Sequence, residues 1–177
     1  MTTTISIDLS SVKSIRNAKK QLERYRKELN KKCEKVVKRL AEIGIKTAKL
    51  NCGEYGNVIT FSKEVAGSNT GATGRIVAVG RPVIRVRGNT TFEVDPLLMA
   101  EFGSGWEARV LDNVGGVGQG TFPSQTHAFD PNGWWYTDEN GVSHHSYGET
   151  PTHPMHSAMM AIIFEVNGVL REVFGNG

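Results

Sequence analysis

The sequence predicts an α+β fold, and three stretches carry that reading. Residues 10–50 repeat apolar side chains in steps of three and four, and residues 153–174 do the same. Between them, residues 57–147 are rich in β-branched and aromatic residues broken by glycine and proline. The expected architecture is a long N-terminal helix, a small mostly antiparallel sheet with a short helix and a Gly-rich insertion, and a C-terminal amphipathic helix. At 177 residues the chain suits one domain and is long enough to bury a core.

The first helix opens at Ser10 or Ser11, whose hydroxyls suit the N-cap because they accept an otherwise unpaired amide of the first turn. Ile15, Ala18, Leu22, Tyr25, Leu29, Cys33, Val36, Leu40 and Ile43 then form one stripe. Glu23, Glu28, Glu34 and Glu42 each have a lysine four residues later, which favours helix by about 0.2–0.5 kcal/mol per pair. Lys27, Lys31, Lys35 and Arg39 oppose this with like charges at the same spacing. Asn51 and Gly53 mark the end, near Leu50. About 40 residues make a rod of about 60 Å, whereas a compact chain of this size is about 40 Å across. Such a rod bends or shares its stripe with another copy, so Leu22, Tyr25, Leu29 and Val36 are candidate subunit contacts.

Residues 57–65 read as a strand, 67–74 (Gly-Ser-Asn-Thr-Gly-Ala-Thr-Gly) as a turn or mobile loop, and 75–79 and 83–87 as two further strands. Asp95 followed by Pro96 caps a short helix that Gly103 ends. Residues 103–133 form a long loop with glycines at 103, 105, 115, 116, 118 and 120, and loops of that length are usually either functional or disordered until bound. Trp134-Trp135-Tyr136 and Val142-Ser143-His144 flank a hairpin turn with Gly141 in the left-handed conformation. Adjacent aromatics on a strand alternate faces, so one of them leaves the local core. Trp134 and Trp135 join the candidate subunit contacts on that ground. From Pro154 to Phe174 the stripe of Met155, Ala158, Met159, Ile162, Val166, Val169, Leu170 and Val173 makes the last helix. Asn167-Gly168 weakens it by about 1 kcal/mol.

The net charge of +3 conceals an asymmetry: residues 13–49 hold fourteen Lys or Arg against four Glu, and the remainder is net acidic. A basic first quarter suits a polyanionic partner, either DNA or an acidic protein face. Lys27, Lys31, Lys35 and Arg39 are the candidate contacts. The rival reading is a sequence-independent DNA-binding helix with steep salt dependence. Against it, the basic residues surround the helix and no aromatics are interleaved for stacking. Cys33 and Cys52 have neither zinc nor disulfide-framework spacing, which suits synthesis in a reducing cytoplasm. The first residues do not read as a signal peptide, and no run approaches the roughly 18 apolar residues of a membrane span.

Catalytic and cofactor chemistry is poorly supported. His127, His144, His145, His153 and His156 lie in the last third, but no zinc motif links them. Ser104 in Gly103-Ser104-Gly105 follows a helix, whereas a nucleophile elbow lies between strand and helix. Glu101, Glu107 and Asp112 are scattered rather than paired. Residues 115–120 (Gly-Gly-Val-Gly-Gln-Gly) lack the lysine of a phosphate loop. No catalytic residue, cofactor or metal is expected.

Several motifs share an order. Met99-Ala100-Glu101-Phe102-Gly103-Ser104-Gly105 ends a short helix and leads into the Gly-rich insertion. Asn132-Gly133-Trp134-Trp135-Tyr136 follows, then Gly148-Glu149-Thr150-Pro151-Thr152-His153-Pro154-Met155 ahead of the final helix. In this order the chain resembles the neck and tail-completion proteins that join head to tail in long-tailed bacteriophages. It departs in its longer stretch at 109–126 and in tandem His144-His145. The resemblance implies a non-enzymatic virion protein whose copies form a ring, six-fold to match the tail tube, around the DNA passage. Its implied neighbours are head-closure or adaptor proteins and tail-terminator or tube proteins, with no membrane involved.

Overall fold

The computed structural model describes residues 4–87, 90–107, 127 and 130–175. Its first element, α1 (Val12–Leu50), is one uninterrupted helix of 39 residues, about 58 Å long. Ser11 caps it, its hydroxyl accepting the Ser14 amide, and Asn51 closes it with its own amide on the Thr47 carbonyl. The rod is neither broken nor folded back.

Two companions cover its C-terminal half. One is α3 (Pro154–Phe174), which runs antiparallel to α1 from near Gly44, beside Ile162, to Lys32, beside the Phe174 ring. Val36, Val169 and Val173 are buried together, with Leu40, Ile43 and Phe174 around them. The other is a hairpin of β1 (Ile59–Ser68) and β2 (Gly71–Gly80), in antiparallel register from Ile59 opposite Gly80 to Ser68 opposite Gly71. Glycines let this hairpin approach. A methyl at Gly67 would collide with the Glu34 carboxylate and one at Gly74 with Val37.

The segment expected as a loop, 67–74, is therefore mostly strand. The hairpin turns on Asn69 and Thr70 alone, and two of the glycines that read as flexibility, Gly67 and Gly74, are clearance for α1. A second ladder pairs β3 (Val83–Arg87) with β4 (Thr90–Val94), the latter not anticipated from sequence. The third pairs β5 (Trp134–Thr137) with β6 (Ser143–Ser146), with Gly141 at φ +81° as expected. Among the described residues the strands thus form three separate two-stranded ladders within the α+β fold, rather than one sheet.

The short helix α2 (Pro96–Phe102) has Asp95 as N-cap, accepting the Leu97 and Leu98 amides. A small core beside it buries Cys52, Tyr55, Ile59 and Ala100. The expected glutamate–lysine pairs along α1 do not form among the described residues. Glu28 pairs with Arg24 at 3.2 Å and Glu42 with Lys63 of β1, while Arg39 reaches Glu172 of α3. Cross-element partners outcompete same-helix ones where the body lies alongside. The stripe assigned to α3 also needs correction: Ala158, Val169 and Val173 are buried, but Met159 and Leu170 face outward.

The two ends of the insertion form one clasp. Ser104 donates its amide to the Glu149 carbonyl, and its hydroxyl accepts the Glu149 amide at 3.0 Å. The Trp106 amide reaches the Tyr147 carbonyl at 2.8 Å. Glu101 accepts the Met155 and His156 amides at 2.8 and 3.0 Å, so a residue of α2 caps α3. His153, which stands at the N-cap position in a left-handed conformation (φ +52°), supplies no side-chain cap of its own. Its Nδ1 instead donates to the Glu101 carbonyl at 2.6 Å. Gly103, Gly105 and Gly148 all adopt positive φ, and a Cβ at Gly148 would overlap the Ser104 carbonyl.

Glu101→Ala is expected to lower stability by about 1–2 kcal/mol through loss of the cap. Urea unfolding should show a lower midpoint with an unchanged slope. Gly148→Ala should cost more, about 2–4 kcal/mol, since it combines backbone strain with a backbone clash. An unshifted midpoint for Gly148→Ala would contradict the clasp.

Candidate subunit interface

Beyond the end of α3, α1 continues for about 20 residues, roughly 30 Å, with no described element packed along its whole length. The stripe continues too. Counting back from Val36, Leu29 lies two turns away, then Tyr25 and Leu22 at steps of four and three. The side that holds α3 therefore emerges into solvent: Leu22 is 53% exposed, Tyr25 54% and Leu29 38%. Residues 4–11 fold back near the start of the rod, where the Asp8 amide reaches the Ser14 hydroxyl at 2.9 Å. Ile7 and Leu9 border, with Ile15, Ala18 and Leu22, an open apolar groove of about 460 Å³.

Val36 does not belong to this exposed group. It is 7% exposed and packs on Val169 and Val173 of its own chain, so it serves the internal core. Sequence periodicity placed it on the stripe correctly, but only the extent of α3 decides where the stripe leaves the body. The same division separates the basic candidates. Lys27, Lys31 and Lys35 are exposed and make no ion pair among the described residues, whereas Arg39 is held by Glu172.

Trp134 and Trp135 split as strand alternation requires. Trp134 is half-buried against Gly105, where a methyl would come within 2.6 Å of its ring, and it stacks on His127 at 5.1 Å. Trp135 is 71% exposed, with His145 opposite it across the ladder at 4.8 Å. The tandem histidines are ladder partners of aromatics: His144 stacks on Tyr136 at 5.3 Å and also meets Asp138 Oδ2 at 3.0 Å. Asp138 organises the turn by accepting the Asn140 and Val142 amides at 2.9 Å each. The His144 hydrogen bond, then those amides, hold its carboxyl below the ordinary carboxylate range. Ser104 and His153 are likewise occupied by backbone partners in the clasp. Among the described residues no three His, Cys, Asp or Glu side chains are grouped to hold a metal. Gly115, Gly116, Gly118, Gly120 and Asp112 lie outside the described residues.

Two features were not read from the sequence. The first is a polar knot on Tyr55. Its hydroxyl donates to Glu149 at 2.6 Å and accepts from Arg85 at 2.6 Å, and Arg85 also reaches Glu149 at 2.7 Å and Glu54 at 3.0 Å. Burial, reinforced by the Glu149 hydrogen bond and charge, pushes the Tyr55 hydroxyl well above its ordinary range. The knot ties β3 to the clasp across a hollow of about 300 Å³ that includes Met99, Gly148 and Thr152. No local signal marks it, since Arg85 lies 30 residues and Glu149 94 residues from Tyr55. The second feature is the outward face of α3, where Met159, Met160, Ile163 and Phe164 are exposed, Phe164 at 77%. The run Met159-Met160-Ala161-Ile162-Ile163-Phe164 is apolar all round, and that was its available signal.

No family model, curated protein or solved structure compared with the chain matches it.

Leu29→Ala is expected to change folded stability by less than about 0.5 kcal/mol, as at a surface position. Val36→Ala should cost about 1–3 kcal/mol by opening the core, a contrast measurable by urea unfolding. For Asp138 the sign follows from a depressed folded value. Its contribution is present above the ordinary value of 3.8 and lost as pH falls through the folded one. Amide exchange at Asn140 and Val142 should therefore quicken in that acid window, and Asp138→Ala should remove the dependence.

Proposed function

We propose that the chain is a non-enzymatic assembly subunit whose copies join through α1 into a six-fold ring at the head–tail interface of a long-tailed phage particle. The observation that carries this reading is the uncovered half of α1, with Leu22, Tyr25 and Leu29 presenting an apolar stripe to water. Leu22, Tyr25 and Leu29 span about 10 Å of helix, and an apolar stripe of this kind is costly to leave hydrated and is ordinarily covered by a partner. Exposed Trp135 offers a second anchor of the type enriched in interface cores.

The phage assignment rests on the order of motifs, and the structure supplies a physical reason for that order. Residues 101–105 and 148–156 are one clasp that closes the base of the long insertion and caps α3. A clasp of this kind fixes the two ends of a long loop beside each other, a device suited to a subunit that engages neighbours through its loops. The proposed neighbours are head-closure or adaptor proteins on one side and tail-terminator or tube proteins on the other, with six copies the number that matches the tube. The virion neck is the proposed location.

A second reading has its own observation. Residues 12–31 carry eight Lys or Arg against two Glu, and Lys27 and Lys31 are exposed without a described ion-pair partner. Such a rod can lie against a phosphate backbone without reading sequence, whether in free DNA or in the lumen of a ring.

Native mass measured across a concentration range should show discrete closed oligomers, and Leu22→Glu with Tyr25→Glu should shift them to monomer without loss of helix by circular dichroism. A parent chain that stays monomeric alone and beside neck and tail proteins would refute the ring. For the second reading, DNA affinity should collapse between low and moderate salt. Replacing Lys27, Lys31 and Lys35 by Gln should reduce the salt slope by about three; binding that is unchanged by these substitutions would exclude it.

A further inference from the structure

We infer that the ring contact is head to tail: the α1 stripe of one copy (Leu22, Tyr25, Leu29) seats on the outward face of α3 (Met159, Met160, Ile163, Phe164) in the next. This deepens the ring reading and rests on it.

Three observations select this occupant. The stripe is already an α3-binding surface, since Val36, Leu40 and Ile43 on the same side of α1 receive α3 of their own chain. A second α3 set beside the first meets the stripe where it emerges. The outward face of α3 is the matching surface, with Met159 and Ile163, and Met160 and Phe164, each one turn apart as helix packing requires.

Charge then excludes the simpler pairing of α1 with α1. Eight Lys or Arg against two Glu in residues 12–31 would face their own kind in a symmetric pair, and like charges set against one another suppress association. From Pro154 to Leu170, α3 carries no Lys or Arg and one acid, Glu165. An α3–α3 pair would avoid that repulsion yet leave every α1 stripe in water. Only the unlike contact covers both faces at once. Because it joins different surfaces, each copy keeps one of each to offer, and the contact propagates from copy to copy, closing into a ring when its rotation divides a full turn.

The test uses two full-length variants at exposed positions, Leu29→Glu and Phe164→Glu, both checked by circular dichroism. Each alone should raise the concentration for half-assembly by about 30-fold or more, the change that loss of one hot-spot contact carries. Mixed in equal amounts, they should form a one-to-one pair and nothing larger. The Phe164→Glu copy still has an intact α1 stripe, and the Leu29→Glu copy an intact α3 face. If the mixture yields no pair, or if either variant assembles like the parent, the head-to-tail contact is wrong although the ring stands. If the parent forms no oligomer at any concentration reached, the ring reading and this contact fail together.

Discussion

A helix can be covered only as far as its companions extend, and the length of α1 sets the terms for everything packed on it. α3 has 21 residues and the β1–β2 hairpin ten per strand, so neither reaches past the middle of a 39-residue rod. Both companions therefore gather at the C-terminal half, where Val36, Ala41, Gly44 and Ala48 are buried. Small residues dominate that list because two elements press on the same stretch of helix. At Gly44 a methyl would meet both Ile76 of β2 and Ile162 of α3. The other half keeps its larger side chains, Leu22, Tyr25 and Leu29, in water. Residue size along α1 thus records which part of the rod is enclosed within one chain.

The clasp determines where α3 begins and hence how far it reaches. Glu101 takes the place of a local N-cap, while the Ala100 carbonyl accepts both the Thr152 and His153 amides. With α2 fixed to α3 in this way, the chain between Glu107 and Asp130 leaves and returns at a rigid base. The knot on Tyr55 ties the same base to β3 through Arg85. One arginine meets both glutamates there and the tyrosine stays protonated, so each carboxylate of the half-buried site has a partner.

Electrostatics on α1 follow the same division. Where the body lies alongside, Glu42 and Arg39 find partners on β1 and α3 and are neutralised across elements. Where it does not, the lysines remain solvated around the apolar stripe. An apolar seam edged mainly by positive charge favours a neutral or acidic apolar surface over a copy of itself. The outward face of α3 has that character.

Local chemistry in the sequence determined the helices and the final hairpin. Ser11, Asp95, Pro96 and Pro154 set their starts, apolar periodicity set their faces, and Gly141 set the turn, because each acts within a few residues of itself. Gly67 and Gly74 were misread as part of a loop, since the reason for them is clearance from Glu34 and Val37, distant in the chain. Periodicity likewise put Val36 and Leu29 on one stripe without distinguishing them. Which is core and which is surface depends on where α3 ends, and that is decided by contacts between residues 101 and 155 that no local pattern encodes.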